Sequence, residues 1–179
     1  SSGDHNVAIG GEALKLGTGN DNVAIGSQAM DASVGSIGNV AIGRNAMGAN
    51  STGVDYCVAI GYEALNTANH ADADGNVAIG YQSQLSNDSG IANTAVGYRA
   101  LRVNVDGNYN TAIGHQALET FEASSDGDGN NTAVGINALQ AATTSINNTA
   151  VGAFASDVIT TGSSNTSVGS SALGTCLLY

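Results

Sequence analysis

The chain has 179 residues and a formal net charge of −11, with four Lys and Arg residues against fifteen Asp and Glu residues. A charge of this sign repels the phosphates of nucleic acids and the head groups of anionic membranes, so neither is expected as a partner. The composition of two Phe, no Trp and no Pro excludes a broad aromatic core and leaves the backbone N–H groups available for sheet hydrogen bonds.

From residue 6 onwards the sequence repeats a nonapeptide, which reads Asn-Thr-Ala-Ile-Gly-His-Gln-Ala-Leu at residues 110–118. The copies begin at Asn6, Asn22, Asn39, Cys57, Asn76, Asn93, Asn110, Asn131, Asn148 and Asn165. A short repeat at nearly constant spacing is typical of a solenoid. We therefore predict an all-β parallel β-solenoid of about ten coils of about 17 residues each, in a single repeat domain over residues 1–179.

Each copy carries Val or Thr at position two, Ala or once Ser at position three, and Ile or Val at position four. Position five is always Gly, and an Ala-Leu or Ala-Met pair usually fills positions eight and nine. This pattern predicts two short strands per coil with a bend at the Gly. A helix is disfavoured because the apolar runs are short.

Alternation along the first strand places positions two and four on one face and position three on the other. We expect the Ile and Val side chains of position four to stack inside the coil. The Ala face would then need a cover that a lone coil does not supply. This argument predicts a cyclic homo-oligomer whose chains meet at the Ala face.

Position one is Asn in nine copies and Cys57 in the other. Asn side chains stacked in register bond to one another and to turn backbone, so we interpret this column as a structural corner that changes locally at Cys57. Cys176 lies seven coils away, roughly 30 Å, which is too far for a disulfide with Cys57. Both cysteines are expected to be packed as small hydrophobic residues.

The segments between copies, here called the joins, carry most of the acidic residues and are expected to form an exposed rim. The longest join, residues 119–130, has extra residues that should bulge outwards. Insertions of this kind in repeat proteins often form the binding face.

Two joins share an Asp-x-Asp-Gly-Asn sequence, at residues 72–76 and 126–130. Carboxylates at this spacing suit calcium, although neither the closing Glu of an EF-hand nor the repeat of calcium β-rolls is present. The candidate metal ligands are Asp72, Asp74, Asp126 and Asp128. Solvated Asp-Gly turns are the preferred interpretation, with a calcium-dependent binding module as a further alternative function, and no other cofactor is expected.

The three histidines, His5, His70 and His115, lie in different coils and have no consistent acidic neighbour. Neither a metal triad nor a Ser-His-Asp set is expected from them. Paired carboxylates for sugar cleavage would need a groove and a raised pKa, whereas the acids here lie in joins. We therefore expect a protein that is not an enzyme.

Position six reads Arg44, Tyr62, Tyr81, Tyr98 and His115 in five consecutive copies. Rings at coil spacing are expected to stack and to stabilise the solenoid. Tyr62, Tyr81 and Tyr98, here called the tyrosine strip, are also the candidate ligand-binding surface, because exposed aromatic residues offer flat apolar area with polar tips.

The repeat, with copies such as Asn-Val-Ala-Ile-Gly at 76–80 and Asn-Thr-Ala-Val-Gly-Tyr-Arg-Ala-Leu at 93–101, resembles two groups of proteins. One is the heads of trimeric autotransporter (YadA-like) adhesins, and the other is the repeats of bacteriophage tail-fibre proteins and related bacterial surface proteins. The resemblance covers essentially the whole chain and implies a homotrimeric, left-handed parallel β-roll with one coil per repeat. The coil of about 17 residues is longer than that of the usual adhesin head, which favours the tail-fibre group.

The resemblance leads us to expect a structural fibre or adhesin segment that mediates or spaces attachment to a host cell or surface, either on a virion or on a bacterial cell. A host glycan or protein would be the receptor. No apolar run approaches the roughly 18 residues of a membrane-spanning helix, and no signal peptide or initiator Met is visible. We therefore expect the chain to be part of a longer fibre.

Overall fold

A computed structural model of the chain describes residues 3–50, 53–68, 70–71, 73–122 and 129–174. Within these residues it confirms the predicted all-β parallel solenoid, with twelve strands and no helix. The strands of the large sheet are Val7–Ile9 (β1), Val23–Ile25 (β2), Val40–Ile42 (β3), Val58–Ile60 (β4), Val77–Ile79 (β5), Thr94–Val96 (β6), Thr111–Ile113 (β8), Thr132–Val134 (β10), Thr149–Val151 (β11) and Thr166–Val168 (β12). Two short strands, Val103–Asn104 (β7) and Thr120–Phe121 (β9), form a second parallel sheet.

The register of the large sheet follows the repeat without a slip. Each strand pairs in parallel with the strand of the next copy, position for position. Ala112 of β8 pairs with Ala133 of β10 even though the longest join separates them, so the joins absorb every difference in spacing. Ten strands at about 4.8 Å give a rod of roughly 45 Å.

The interior of the coil is lined by the small residues of position three, contrary to the orientation that we predicted. Ala24, Ala41 and Ala59 are fully buried, whereas position four is half-buried in six copies and exposed in the other four, namely Ile9, Ile113, Val151 and Val168. The Ala, Leu and Met side chains of positions eight and nine complete the core. The coil is narrow, and the strand contributes only small side chains to its interior, Ala in nine copies and Ser167 in the tenth.

This reversal removes the Ala face as the interface between chains. The side chains of positions two and four instead form the outer face of the large sheet, here called the outer face, and they carry no charge in any of the ten copies. The surface that a partner chain would cover is therefore the outer face.

The second segment of each coil is a turn and not the second strand that we predicted. The residues of positions seven and nine, such as Gln116 (φ 54°) and Leu118 (φ 51°), have left-handed backbone conformations. Their N–H groups still bond to the neighbouring coils, as from Leu118 to the carbonyl of Ala138 at 2.9 Å. The left-handed residues bend the chain tightly enough to close a narrow coil.

The corner formed by position one is confirmed as a hydrogen-bonded Asn column. The Oδ1 of Asn110 accepts both the backbone N–H and the side-chain N–H of Asn131, at 3.0 and 3.1 Å. The Nδ2 of Asn131 also donates to the carbonyl of Ser145 at 2.9 Å. At Cys57 the column changes as predicted, because the backbone N–H of Asn76 donates to the Cys57 sulfur at 3.3 Å.

The core is divided at coil five, where Ser83 and Gln84 replace the usual Ala and Leu and are fully buried. The Ser83 hydroxyl donates to the carbonyl of Ala95 at 3.0 Å, and the Gln84 amide donates to the carbonyls of Val77 and Asn93 at 3.2 and 3.3 Å. One apolar cluster lies on each side of this polar layer.

The longest join begins inside the molecule and not on the exposed rim. Glu119 is only 8% exposed, because its carboxylate accepts the side-chain amides of Gln116 and Gln140 at 2.8 and 3.1 Å. Phe121 in β9 is fully buried. The expected outward bulge falls on residues 123–128, which lie outside the described residues.

Candidate functional site

The position-six column forms a continuous stack of rings on one edge of the solenoid, as predicted. The ring centroids of Tyr62 and Tyr81 are 5.4 Å apart, those of Tyr81 and Tyr98 are 5.3 Å apart, and those of Tyr98 and His115 are 4.9 Å apart. The rings are within 11° of parallel. The guanidinium of Arg44 lies 6.0 Å from the centroid of the Tyr62 ring and covers that end of the stack.

The stacking decides which part of the tyrosine strip a ligand can contact. The flat faces of the rings cover one another, so they are not available to a sugar ring. The three tyrosines remain 37–41% exposed through their edges and hydroxyl groups. The strip therefore presents a row of hydroxyls about one coil apart and not the flat apolar area that we predicted.

The hydroxyl of Tyr62 is coupled to the acidic residue beside it. A hydrogen bond to Glu63 and the negative charge of that residue raise the pKa of Tyr62. The Glu63 carboxylate also accepts the Gln82 amide at 2.9 Å. The hydroxyls of the strip thus lie beside the position-seven side chains of Glu63, Gln82 and Arg99, which can also hydrogen-bond to a polar ligand.

The outer face is an apolar surface that runs along the large sheet and that the rest of the chain covers only in part. Its side chains are half-buried in the middle of the sheet and more exposed at the ends, where Ile9 is 58% exposed and Val168 is 71% exposed. Position two changes from Val to Thr after β5, so the outer face is wholly aliphatic in its first half and mixed in its second half.

The acidic calcium candidates are only partly described. The Asp74 carboxylate accepts the backbone N–H of Asp55 at 2.7 Å, and the Asp55 carboxylate accepts that of Ile37 at 2.7 Å. These bonds give both carboxylates a structural role between coils. Asp72, Asp126 and Asp128 lie outside the described residues, and calcium binding stays an untested prediction.

The histidines do not form a site together. His5 lies 3.3 Å from Asp21 at the exposed start of the solenoid, and His115 is part of the ring stack. Throughout the described ranges, no group of three or more His, Cys, Asp or Glu side chains is placed to hold a metal ion. No helix in those ranges is long and apolar enough to cross a membrane.

Cys57 is fully buried, as predicted, and its thiol is free. Burial raises the pKa of this thiol to about 12, so it is not a reactive group at neutral pH. Cys176 lies outside the described residues.

Sequence reasoning stopped at the nine residues of the repeat and missed features just beyond them. Position twelve is a further buried column, in which Asn87, Asn104 and Phe121 are fully buried. The sequence analysis also did not single out Arg99 and Arg102, at positions seven and ten of the sixth coil. Arg99 lies against Tyr98 of the tyrosine strip. The sequence does contain a signal for this pair, because two of the four basic residues of an acidic chain lie only three positions apart.

The sequence matches no protein-family model, and no curated protein or solved structure is significantly similar to it.

Proposed function

We propose that this chain is a non-enzymatic segment of a homotrimeric fibre that mediates or spaces attachment to a host cell or surface, most like a phage tail fibre. The observation that carries the proposal is the outer face, which runs along all ten strands of the large sheet without a charged residue. The number three comes from the resemblance of the repeat.

The energetics of the outer face support self-association. Burial of apolar surface contributes about 25 cal/mol per Å², and the outer face repeats two such side chains in every coil. Most of the acidic residues lie in the joins and none lies on this face, so copies of the chain can approach through it despite a net charge of −11 each. A second copy of the chain has an outer face of the same length and the same coil spacing, so the two faces can pack along their whole length.

The shape of the rod supports a role in attachment. An unbroken parallel ladder holds successive coils at fixed spacing and resists bending, which suits a spacer between an anchoring part and a receptor. The tyrosine strip and the joins are the surfaces left for recognition. The head of a bacterial trimeric adhesin is the alternative setting for the same assembly.

Receptor binding is tested by comparing this chain with its full-length parent protein on a glycan array and on host cells. Binding by both would support direct recognition by the rod. Binding by the parent alone would support the spacer role. Absence of binding by the parent to any cell or surface would overturn the attachment function.

A further inference from the structure

Arg99 and Arg102 occupy positions seven and ten of the sixth coil, whose side chains are neighbours on the surface of the solenoid. In three other coils the side chains at these two positions bond directly, as Lys15 with Glu12 at 3.0 Å, Gln116 with Glu119 at 2.8 Å and Asn137 with Gln140 at 2.6 Å. The sixth coil places two guanidinium groups where other coils place a donor and an acceptor.

Within the part of the chain that the structure describes, neither guanidinium forms an ion pair with a carboxylate. The ion pairs found within the described ranges are His5–Asp21 and Lys15–Glu12. The Nε atoms of Arg99 and Arg102 are both shielded from solvent and lack a hydrogen-bond acceptor. The carboxylate of Glu119, in the next coil, accepts amides of Gln116 and Gln140 instead.

An oxyanion would supply the negatively charged partner that these two arginines lack among the described residues. Two like charges side by side repel each other, and an anion bound to both would offset that repulsion. The guanidinium fork binds carboxylate, sulfate or phosphate oxygens in a planar, bidentate way. Arg99 is held in place because its guanidinium carbon lies 5.1 Å from the centroid of the Tyr98 ring.

The surroundings of the pair define the rest of the ligand. From Tyr98 the tyrosine rings continue through Tyr81 to Tyr62, with centroids 5.3 and 5.4 Å apart, a step comparable with one sugar unit of an extended polysaccharide. Hydroxyls and amides are suited to sugar hydroxyls. Because the chain is acidic, a short saccharide with few carboxylate or sulfate groups is favoured over a long polyanion.

We propose that Arg99 and Arg102, together with the tyrosine strip, bind an anionic saccharide, with its carboxylate or sulfate group on the two guanidinium groups and its sugar hydroxyls along the strip. This proposal rests on the attachment function proposed above and names the class of receptor. It places recognition on the edge of the rod and leaves the outer face free for assembly.

The test measures binding of a short oligogalacturonate to the whole chain by isothermal titration calorimetry. The variant is Arg99→Gln/Arg102→Gln, which should fold because Gln already occupies position seven in Gln82 and Gln116 and position ten in Gln140. Lys15→Gln is the control, since it removes one positive charge far from the strip. We expect the double variant to weaken binding at least tenfold, about 1.4 kcal/mol, and Lys15→Gln to leave it unchanged.

Three further probes distinguish the sources of the anion. The methyl ester of the same oligogalacturonate should not bind, because it lacks the charge. Binding of the uronate alone would assign the carboxylate as the natural group, and binding of a sulfated galactan oligosaccharide alone would assign the sulfate. Binding of both would show that the site accepts either anion. Each of these results supports the proposal. Equal binding by oligoglutamate would show that the site takes acidic peptides and would overturn it.

The proposal is also overturned if neither charged saccharide binds, or if the double variant binds as tightly as the wild type. Circular dichroism and solution mass of each variant show whether the fold and the assembly are intact. A chain that assembles and attaches to cells but binds neither probe would refute the saccharide site and leave the attachment function standing.

Discussion

The Gly of position five is required by the backbone at every coil, and Gly114 is a clear example. Its φ is 138°, a conformation that L side chains rarely adopt. A Cβ at this residue would also press against the carbonyl oxygen of Gly135 in the next coil. Coils can therefore stack at β-sheet spacing only because this position has no side chain.

We expect Gly114→Ala to lower the free energy of unfolding by about 1–3 kcal/mol, because it combines backbone strain with a contact to backbone that cannot move away. Gly11→Ala is the matched control, since a Cβ at Gly11 meets no atom within 4 Å. Urea denaturation followed by circular dichroism measures both. Equal stability of the two variants would contradict the described packing of the coils.

The buried thiol of Cys57 predicts a dependence of stability on pH. Burial raises its pKa from 9.0 to about 12. Below pH 9 the thiol is protonated in the folded and the unfolded chain, so its stabilising contribution is fully present. Between pH 9 and 12 only the unfolded chain ionises, and this contribution falls by about 1.4 kcal/mol per pH unit.

The comparison of wild type with Cys57→Ala isolates this effect, because the other titrating groups are common to both. Their difference in unfolding free energy should shrink as the pH rises above 9. Urea denaturation at several pH values measures it. A difference that stays constant across this range would show that the thiol is accessible to water.

Among the structural elements, the Asn column links every coil to the next. Asn110 serves both neighbours, since its Oδ1 accepts two bonds from Asn131 and its Nδ2 donates to Asn93. We expect Asn110→Ala to cost about 2–4 kcal/mol, because it leaves the buried backbone N–H of Asn131 without an acceptor and removes the side-chain bonds to Asn93 and Asn131.

Asn165 provides the control from the same column. It donates to Asn148, but among the described residues no backbone N–H depends on its side chain. Asn165→Ala should therefore cost less than about 1 kcal/mol, in the same denaturation experiment. A cost as large as that of Asn110→Ala would show that the column does not act through the bonds from each Oδ1.

The strand, the corner and the ring stack were predictable because each depends on a repeated residue type in one register. The orientation of the strand was not, since alternation separates two faces but does not say which one is inside. That choice follows from the width of the coil, which depends on left-handed residues such as Gln116 and Leu118. These side chains carry no signature of that conformation. The burial of Phe121 was not predicted, because this residue lies in a join with acidic neighbours, and such joins were expected to be exposed.

At the scale of the whole molecule, the outer face is the surface on which the proposed assembly depends. Ile113 lies at the centre of this face and is 40% exposed, whereas Ile136 is 44% exposed but lies at position six, off the face. We expect Ile113→Lys to reduce the assembly to monomers, because it buries an unpaired charge in an apolar interface. Ile136→Lys should leave the mass unchanged.

Circular dichroism of both Lys variants should show the same β content as the wild type, because each side chain points away from the core. Equal loss of assembly in the two variants would indicate that chains associate through another surface. Unchanged assembly of Ile113→Lys would exclude the outer face as the interface.

The most direct measurement is the solution mass of the unmodified chain by light scattering coupled to size-exclusion chromatography. We expect a mass three times that of the 17.6 kDa chain, with the outer faces of three copies buried against one another. A stable monomer at all concentrations would contradict it, since the outer face would then be exposed to water in the functional protein.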